Sequence, residues 1–458
     1  MDGAAWRRIG RSVVLEPWLE VMEDPESGLF HNAYNDDFEP QPSDAKIPWV
    51  MARQAFGLCA GYLMYAEPRL VKRAREVLTW LTENAWDSER GGWFEKVRAD
   101  GTVVDDKKRE FNQLYVDTGL AFCYLVTGDE WMGEWLERSR TFRMKAFGDP
   151  KVKEGGEYFR ELARDLSVTE NRKDFVGHIV PLSGPGLYRY LATRDTKGLE
   201  EMQTLLRLVS VKMRDPEHNW ILERFDPEWN YDPKEDATSE VDIGHNLEFA
   251  WVALRVYELT GDEDLRAKAI ELAEQTFKRG FIPETGMWLH KIARDPSGDA
   301  KDYTHWWVQE YGVLMSLVMY AATGEERYLD VYRKSAEFFQ ERFLDPDKGD
   351  CFLRVTVEDG TYVGERRPNS AYHTMEFVLL VSLYLDLYVN KQPAELHFRT
   401  GIRSGETAAR PLTLIEDASV LLKHVEIDGS ATDDVDAQRR TARIPEGDDR
   451  DVLVKLRR

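Results

Sequence analysis

The most constraining feature of this 458-residue chain is a turn that returns at near-constant intervals. Tyr65-Ala66-Glu67-Pro68 separates two helical patterns, as do Thr127-Gly128-Asp129, Thr193-Arg194-Asp195, Thr260-Gly261-Asp262 and Thr323-Gly324-Glu325. From Ala66 to each threonine in turn the steps are 61, 66, 67 and 63 residues. One more step reaches Tyr388-Val389-Asn390, where the last strong helical pattern ends. Glycine closes a helix and the acidic residue beside it suits the start of the next. A second series runs in antiphase: Gly28-Leu29-Phe30-His31, Gly92-Trp93-Phe94-Glu95, Glu157-Tyr158-Phe159-Arg160, Asn219-Trp220-Ile221-Leu222, Gly286-Met287-Trp288-Leu289 and Asp350-Cys351-Phe352-Leu353. These segments are too brief for helices and rich in β formers, which predicts small hairpins in the longer connections. Six helix pairs, short turns on one side and long aromatic loops on the other, predict an all-α fold, an (α/α)6 toroid or barrel. An open solenoid would want terminal capping repeats, and none is evident.

The period changes after Pro393. Leu396-His397-Phe398-Arg399, Ala418 to Ile427 and Asp451 to Leu456 alternate as strands do, and Asp428-Gly429 supplies a turn. The chain therefore divides into a catalytic barrel, residues 1–392, and a small β-rich C-terminal appendage, residues 393–458, with a limited core of its own or packed on the ring. The polar stretch from Asp428 to Arg443 reads as a loop, and His397 and His424 as structural.

Net charge is −22, from 83 acidic and 61 basic residues. That argues against nucleic acid or an anionic membrane as a partner and leaves a neutral small molecule open. The chain is 12% aromatic, a density that suits a large helical core or a carbohydrate cleft. No apolar run follows the N-terminal arginines and none approaches the ~18 residues of a membrane span, so the expectation is a soluble, cytoplasmic protein. Cys59, Cys123 and Cys351 are odd in number, far apart and in no metal spacing, which fits buried thiols in a reducing compartment. With no ligand cluster and no Gly-rich phosphate loop, neither metal nor cofactor is expected. Oligomeric state stays open, a homodimer being one option.

The polar residues that matter in a helical ring are those at the starts of inner helices and in the long loops. Arg53 begins the first inner helix, Asn112-Gln113-Leu114-Tyr115 the second, His178 the third, Trp306-Trp307-Val308-Gln309-Glu310 the fifth and His373 the sixth. In Asp242-Ile243-Gly244-His245-Asn246-Leu247-Glu248, His245 and Glu248 stand three apart on one helical face. A helix start favours a carboxylate and keeps a histidine neutral, and a neutral imidazole beside a carboxylate suits general acid/base work. Three histidines at equivalent helix ends, with an arginine and a carboxylate, form the kind of cluster that marks a functional site. His31, His290 and His305 lie in or beside the long loops as rim contacts.

The same residues carry a resemblance. Ala52-Arg53-Gln54, Leu114-Tyr115, His178, Gly244-His245-x-x-Glu248-x-x-Trp251, Trp306-Trp307-x-Gln309-Glu310 and Tyr372-His373 occur in order over residues 10–390. This pattern resembles the N-acylglucosamine 2-epimerase superfamily, which includes cellobiose 2-epimerases and mannose or sulfoquinovose isomerases. The resemblance implies His245 and His373 as the acid/base pair, with Glu248 orienting His245. It implies Arg53 on the oxygens at C1 and C2 of an opened sugar, and His178 assisting ring opening or binding a hydroxyl. Tyr115, Trp251, Trp306, Trp307, Gln309 and Glu310 would shape a site for a mono- or disaccharide, with epimerisation or aldose–ketose isomerisation through an enediolate. Two departures stand out. Asp174-Phe175-Val176-Gly177 precedes His178 where family members often carry an asparagine and a histidine. Glu376 stands three positions after His373 where many carry an arginine.

Two other function classes compete. A glycoside hydrolase or lyase on the same toroid needs a carboxylate pair roughly 5–10 Å apart, for which Asp36, Asp37, Asp242 and Glu310 are candidates. A non-catalytic carbohydrate-binding protein would keep the aromatic cavity without the proton chemistry. Hydrolysis creates reducing ends, binding gives affinity without turnover, and an isomerase exchanges the C2 hydrogen with solvent.

Overall fold

Helices that are apolar all round must be enclosed, whereas a helix with one apolar stripe belongs on a surface. The chain alternates the two kinds. The computed structural model describes residues 2–149, 158–231, 240–295, 300–364, 366–402 and 409–458, so Glu157 of the third aromatic segment lies outside the described residues. Helices α1 (Gly3–Ile9) and α2 (Glu16–Val21) are joined by a π-helical segment. They lead into α3 (Pro48–Tyr65), α4 (Pro68–Asn84), α5 (Glu110–Thr127) and α6 (Glu130–Ala146). Next come α7 (Phe175–Pro181), α8 (Leu187–Thr193), α9 (Thr196–Lys212), α10 (Ile243–Thr260) and α11 (Glu263–Gly280). The series ends with α12 (Trp306–Thr323), α13 (Arg327–Arg342) and α14 (Tyr372–Tyr384). α3 is buried from Val50 to Leu63, while α4 buries only Leu70, Val71, Ala74, Val77, Leu78 and Leu81, a three-four-three stripe. Between α7 and α8, Pro185 lacks the N–H that an unbroken helix requires, and the chain passes through a π-helical segment at Leu182–Gly186.

The enclosed helices pack in sequence: α3 on α5, α5 on α7 and α8, α10 on the π-helical segment and on α12, α12 on α14, and α14 back on α3. That cycle of contacts closes a ring. The outer partner of α14 is not the segment that follows it but the N-terminal α1, which packs along it. Trp6 meets Phe377 edge-on at 5.0 Å and donates from Nε1 to the Tyr332 hydroxyl at 2.9 Å. Arg7 pairs with Asp386 at 2.7 Å.

At the short turns Ala66, Gly128, Arg194, Gly261 and Gly324 all adopt left-handed backbone. Each donates its N–H to the carbonyl of a tyrosine four residues earlier: Tyr62, Tyr124, Tyr190, Tyr257 and Tyr320. At Gly128 a Cβ would also collide with the Arg410 guanidinium.

Strands β1 (Ala394–Ile402), β2 (Leu421–Ile427) and β3 (Gly447–Arg457) form a sheet with β3 in the centre. This sheet packs on the short-turn end of the ring. Tyr62 donates to Asp451 at 2.9 Å, and Arg410 donates to the carbonyls of Tyr124 and Leu125 at 3.4 Å each. Leu396, Phe398, Val425 and Val454 join the same hydrophobic core as the ring, so the strands share a core rather than owning one. The stretch expected as a loop, Asp428 to Arg443, instead contributes short strands at Ser430–Ala431, Val435–Asp436 and Thr441–Arg443. The three cysteines are buried thiols, Cys59 and Cys123 in contact on α3 and α5. Among the described residues no helix is long and apolar enough to cross a membrane.

The aromatic segments do form hairpins or bridged turns, and inner-helix amides hold them. Gln113 accepts from Trp93 N–H and donates to its carbonyl, both at 2.8 Å. Asn246 does the same to Ile221 at 3.0 and 3.1 Å. Gln309 accepts from Trp288 N–H at 2.9 Å and donates to its carbonyl at 2.5 Å and to Thr304 Oγ1 at 3.0 Å. The indoles of Trp93 and Trp288 then plug between helices and donate to Ser139 and Ser335 on the outer partners. Gln309 is 0% exposed and its amide is fully committed, so the expectation that it contacts substrate gives way to a structural role. Gln309→Ala strands a buried N–H and a buried carbonyl and is expected to cost about 3 kcal/mol, read by urea unfolding. The folded variant should keep its substrate KM. A rise in KM without loss of stability would restore Gln309 to the site.

Candidate functional site

The starts of the six inner helices, with the hairpins above them, hold the polar residues singled out from the sequence. Arg53 lies one turn into α3 inside a bracket of rings. Its Cζ is 3.6 Å from the centre of Tyr115, 5.0 Å from Trp49 and Tyr372, and 5.7 Å from Phe111. Aromatic faces hold a guanidinium by cation–π attraction without consuming its N–H donors. Its Nε has no hydrogen-bond partner among the described residues, at 9% exposure. The rings therefore position the guanidinium while leaving Nε uncommitted among the described residues.

His245 opens α10. Asp242 caps the helix by accepting from His245 N–H at 3.1 Å and takes His290 Nε2 at 3.2 Å. The imidazole stacks on Phe175 at 4.5 Å and lies 5.1 Å from Trp307. Gly244 makes that approach feasible, since a Cβ there would sit 2.2 Å from the Trp307 ring. His245 Nδ1 donates to Glu223 Oε1 at 2.7 Å. Burial works against charge on the ring, but Glu223 and Asp242 outweigh it and push its pKa up to about 10. Two expectations change here. The imidazole is a cation rather than neutral, because two carboxylates overcome both burial and the helix end. Its hydrogen-bonded orienting partner is Glu223 rather than Glu248. Glu248 lies beside it on the same face but is drawn down by the Ser183 and Tyr311 hydroxyls, while burial, the larger influence, raises it.

His373 takes the opposite course. Burial first, then the charges of Arg53 and His245, hold it well below the usual histidine range, so it is neutral. Its ring meets Trp306 edge-on at 5.9 Å and Tyr372 at 4.6 Å. Beneath it a cavity of about 20 Å3, room for one water, is lined by Trp251, Glu310, Tyr311 and Glu376 among others. Burial raises Glu376 to about 7 against the hydrogen bond from Tyr188, and burial pushes Glu310 well above the carboxylate range. Trp251, 1% exposed, lies under the site rather than in it: one turn deeper than Glu248, its ring packs on Tyr311 and on the Arg255 guanidinium.

His178 is buried in α7, its Nδ1 donating to the Asp174 carbonyl at 2.6 Å and its ring 5.3 Å from Trp229. It shares its helix with Phe175, which reaches the His245 ring. Glu223, Tyr311 and Tyr188 were not singled out from the sequence, and Tyr372 was named only as the neighbour of His373. Glu223 directly follows the fourth aromatic segment, Asn219 to Leu222, where the β-forming residues and not the carboxylate after them carried the signal. Of the four carboxylates weighed for hydrolysis, three are occupied elsewhere: Asp36 takes the Tyr362 hydroxyl, Asp37 pairs with Lys348, and Asp242 caps α10; the fourth, Glu310, lines the small cavity at His373, where burial favours its protonated form. Glu223, Asp242 and His245 bring ligand atoms within 4.8 Å of one another and could offer them to a cation, but Nδ1 of His245 would have to surrender its proton and its bond to Glu223.

The comparisons with known proteins agree on a family. The family model described as N-acylglucosamine 2-epimerase (GlcNAc 2-epimerase) matches residues 28–376. A cellobiose 2-epimerase of Bacteroides fragilis is 23% identical over 364 residues, 75% of this chain and 88% of the relative. The N-acylglucosamine 2-epimerase of Bos taurus is 29% identical over 392 residues, 79% of this chain and 88% of that one. Among solved structures, the cellobiose 2-epimerase of Bacillus thermoamylovorans superposes with a TM-score of 0.74 at 18% identity, over 83% of this chain and 98% of its own. A D-mannose isomerase gives 0.73 at 18% identity, over 83% and 96%. The chain belongs to the N-acylglucosamine 2-epimerase family, a family of isomerase-class enzymes.

Proposed function

We propose that this protein is a sugar 2-epimerase or aldose–ketose isomerase that moves the C2 proton of a mono- or disaccharide through an enediolate. Residues 1–392 would form the catalytic (α/α)6 toroid and residues 393–458 its β appendage. The observation that carries the reading is the opposite protonation of two imidazoles in one site, a cationic His245 and a neutral His373. Environments that push two like groups apart in pKa divide acid from base. His373 takes the proton from C2 of the open-chain aldose, the C–H electrons form the C1–C2 double bond, and O1 gains negative charge beside Arg53. Return of a proton to the opposite face of C2 from His245 Nε2 gives the epimer. Return of the abstracted proton from His373 to C1, with the O2 proton passing to O1, gives the ketose. Glu223, by holding Nδ1, leaves Nε2 as the donating atom. The carboxylates of Glu223 and Asp242 beside His245 favour an uncharged sugar over a phosphorylated one.

The decisive measurement is proton NMR in D2O with glucose, mannose, fructose, cellobiose, N-acetylglucosamine and sulfoquinovose. Deuterium should enter C2 of at least one sugar as its epimer or ketose forms, and His373→Ala should be silent. No exchange on any of them, or new reducing ends from glycosides, overturns the reading.

The pH dependence follows from the two imidazoles. Activity requires His373 neutral and His245 protonated, so it rises with pH through the depressed value of His373 and falls through about 10 as His245 loses its proton. Glu223→Gln removes the charge that raises His245. It should pull the alkaline limb of the kcat profile toward neutral pH and lower kcat at pH 8 by about 100-fold. An unmoved alkaline limb would deny His245 the role of acid.

A further inference from the structure

The C-terminal strands lie outside the family match at residues 28–376, yet they deliver one carboxylate into the ring. The segment before β2 is held rigidly. Leu412 and Leu414 are fully buried, and Arg440 donates to the carbonyls of Glu416 at 3.2 Å and Val420 at 3.1 Å. Glu416 so placed meets Arg255 of α10, its Oε1 2.9 Å from Nε and 2.5 Å from Nη2, both side chains 3% exposed. Burial disfavours the guanidinium charge, and Glu416 more than restores it.

Arg255 points up the same helix that carries Glu248 and His245. Its Cζ lies 4.8 Å from the Trp251 ring and 5.6 Å from that of Tyr188. Tyr188 donates its hydroxyl to Glu376, which faces His373 and Glu310 across the small cavity. The groups around Glu376 are thus Tyr188 and Tyr372, Glu248 and Arg255, with Glu310 and His373 beyond the cavity. A buried guanidinium stripped of its partner is left an uncompensated charge, and Glu376 already lies in the field of this one.

We propose that Glu416 is a positioning residue for the reaction: it pins Arg255 against Tyr188, so that Tyr188 and not Arg255 holds Glu376 on the His373 side of the ring. The appendage is then a working part of the site's floor. This inference rests on the proton-transfer reading for its kinetic consequence and on geometry alone for the coupling itself.

The test uses full-length Glu416→Gln and the double variant Glu416→Gln/Arg255→Met, which removes both charges and carries the test if the single variant does not fold. Glu376 is followed by infrared titration of its carboxyl band, assigned by difference against Glu376→Gln in each background. In Glu416→Gln the Glu376 midpoint should fall, because Arg255 swings to it. In the double variant it should rise above wild type, because the guanidinium is gone. With the sugar that wild type turns over, both variants should lose at least about tenfold in kcat with KM little changed, the double variant despite wild-type thermal stability. A folded variant pair with the wild-type Glu376 midpoint and wild-type kcat overturns the proposal and leaves the ion pair a strut. If wild type turns over no sugar, the proton-transfer reading falls by itself and the infrared midpoints decide the coupling.

Discussion

Everything at the site depends on where the long connections put their backbone, and that backbone is held by side-chain amides rather than by extended sheet. A loop of a few β residues cannot satisfy its own N–H and C=O groups, and leaving them buried and unpaired is costly. Gln113, Asn246 and Gln309 supply both a donor and an acceptor to one residue of the hairpin above, Trp93, Ile221 and Trp288. Once those residues are fixed, the first turns of the inner helices have a defined roof, and Arg53, His245 and His373 acquire defined neighbours. The aromatic density of the chain serves this scaffold as much as any sugar. The Trp93 and Trp288 indoles are buried plugs, whereas Trp49, Trp306 and Trp307 stand beside the charged residues.

Charge is segregated on that scaffold. The His245 imidazolium sits against Glu223 and Asp242, Arg53 sits among rings with no carboxylate in contact among the described residues, and burial with the charges of Arg53 and His245 keeps a proton off His373. The segregation explains why Arg53 remains available: had one of the neighbouring glutamates reached it, its donors would be spent. It also explains the departure at Glu376. An arginine there would place a third cation near Arg53 and His245, whereas the glutamate takes the Tyr188 hydroxyl and lies within the field of Arg255.

Much of this was legible in the sequence, and the limits are physical. The turn series from Ala66 to Gly324 carries its own signal, because a left-handed cap and an acidic residue after it are local requirements. The partnership of α1 with α14 is not local: Arg7 and Asp386 are 379 positions apart, and only closure of the ring brings them together. Glu223 was missed for a related reason: it follows the fourth aromatic segment, 22 residues before His245, and only the fold brings the two side chains together. Gln309 misled because its motif neighbours do approach the site. Trp306 and Glu310 are four apart and share a face, while Gln309, one residue off that face, turns to the hairpin. Asp428 to Arg443 looked like a loop because its strands are two or three residues long and mostly solvent-facing.

The ring geometry also answers how one site tolerates so many carboxyl groups. Six inner helices direct their N-terminal ends toward the hairpin side, and each end carries partial positive charge from unpaired N–H groups. Asp242 and Asp174 spend that field as caps on α10 and α7. Glu310 and Glu376, lying deeper along their helices, gain less from it, and burial keeps them partly or wholly protonated. In the proposed reaction the same converging ends would remain when a substrate arrives, and an enediolate forming among them would meet oriented dipoles and the Arg53 guanidinium without any rearrangement of solvent. A neutral sugar whose charge appears only during reaction exploits that field in the transition state more than in the ground state, which is the condition for binding energy to accelerate a reaction rather than merely hold its substrate.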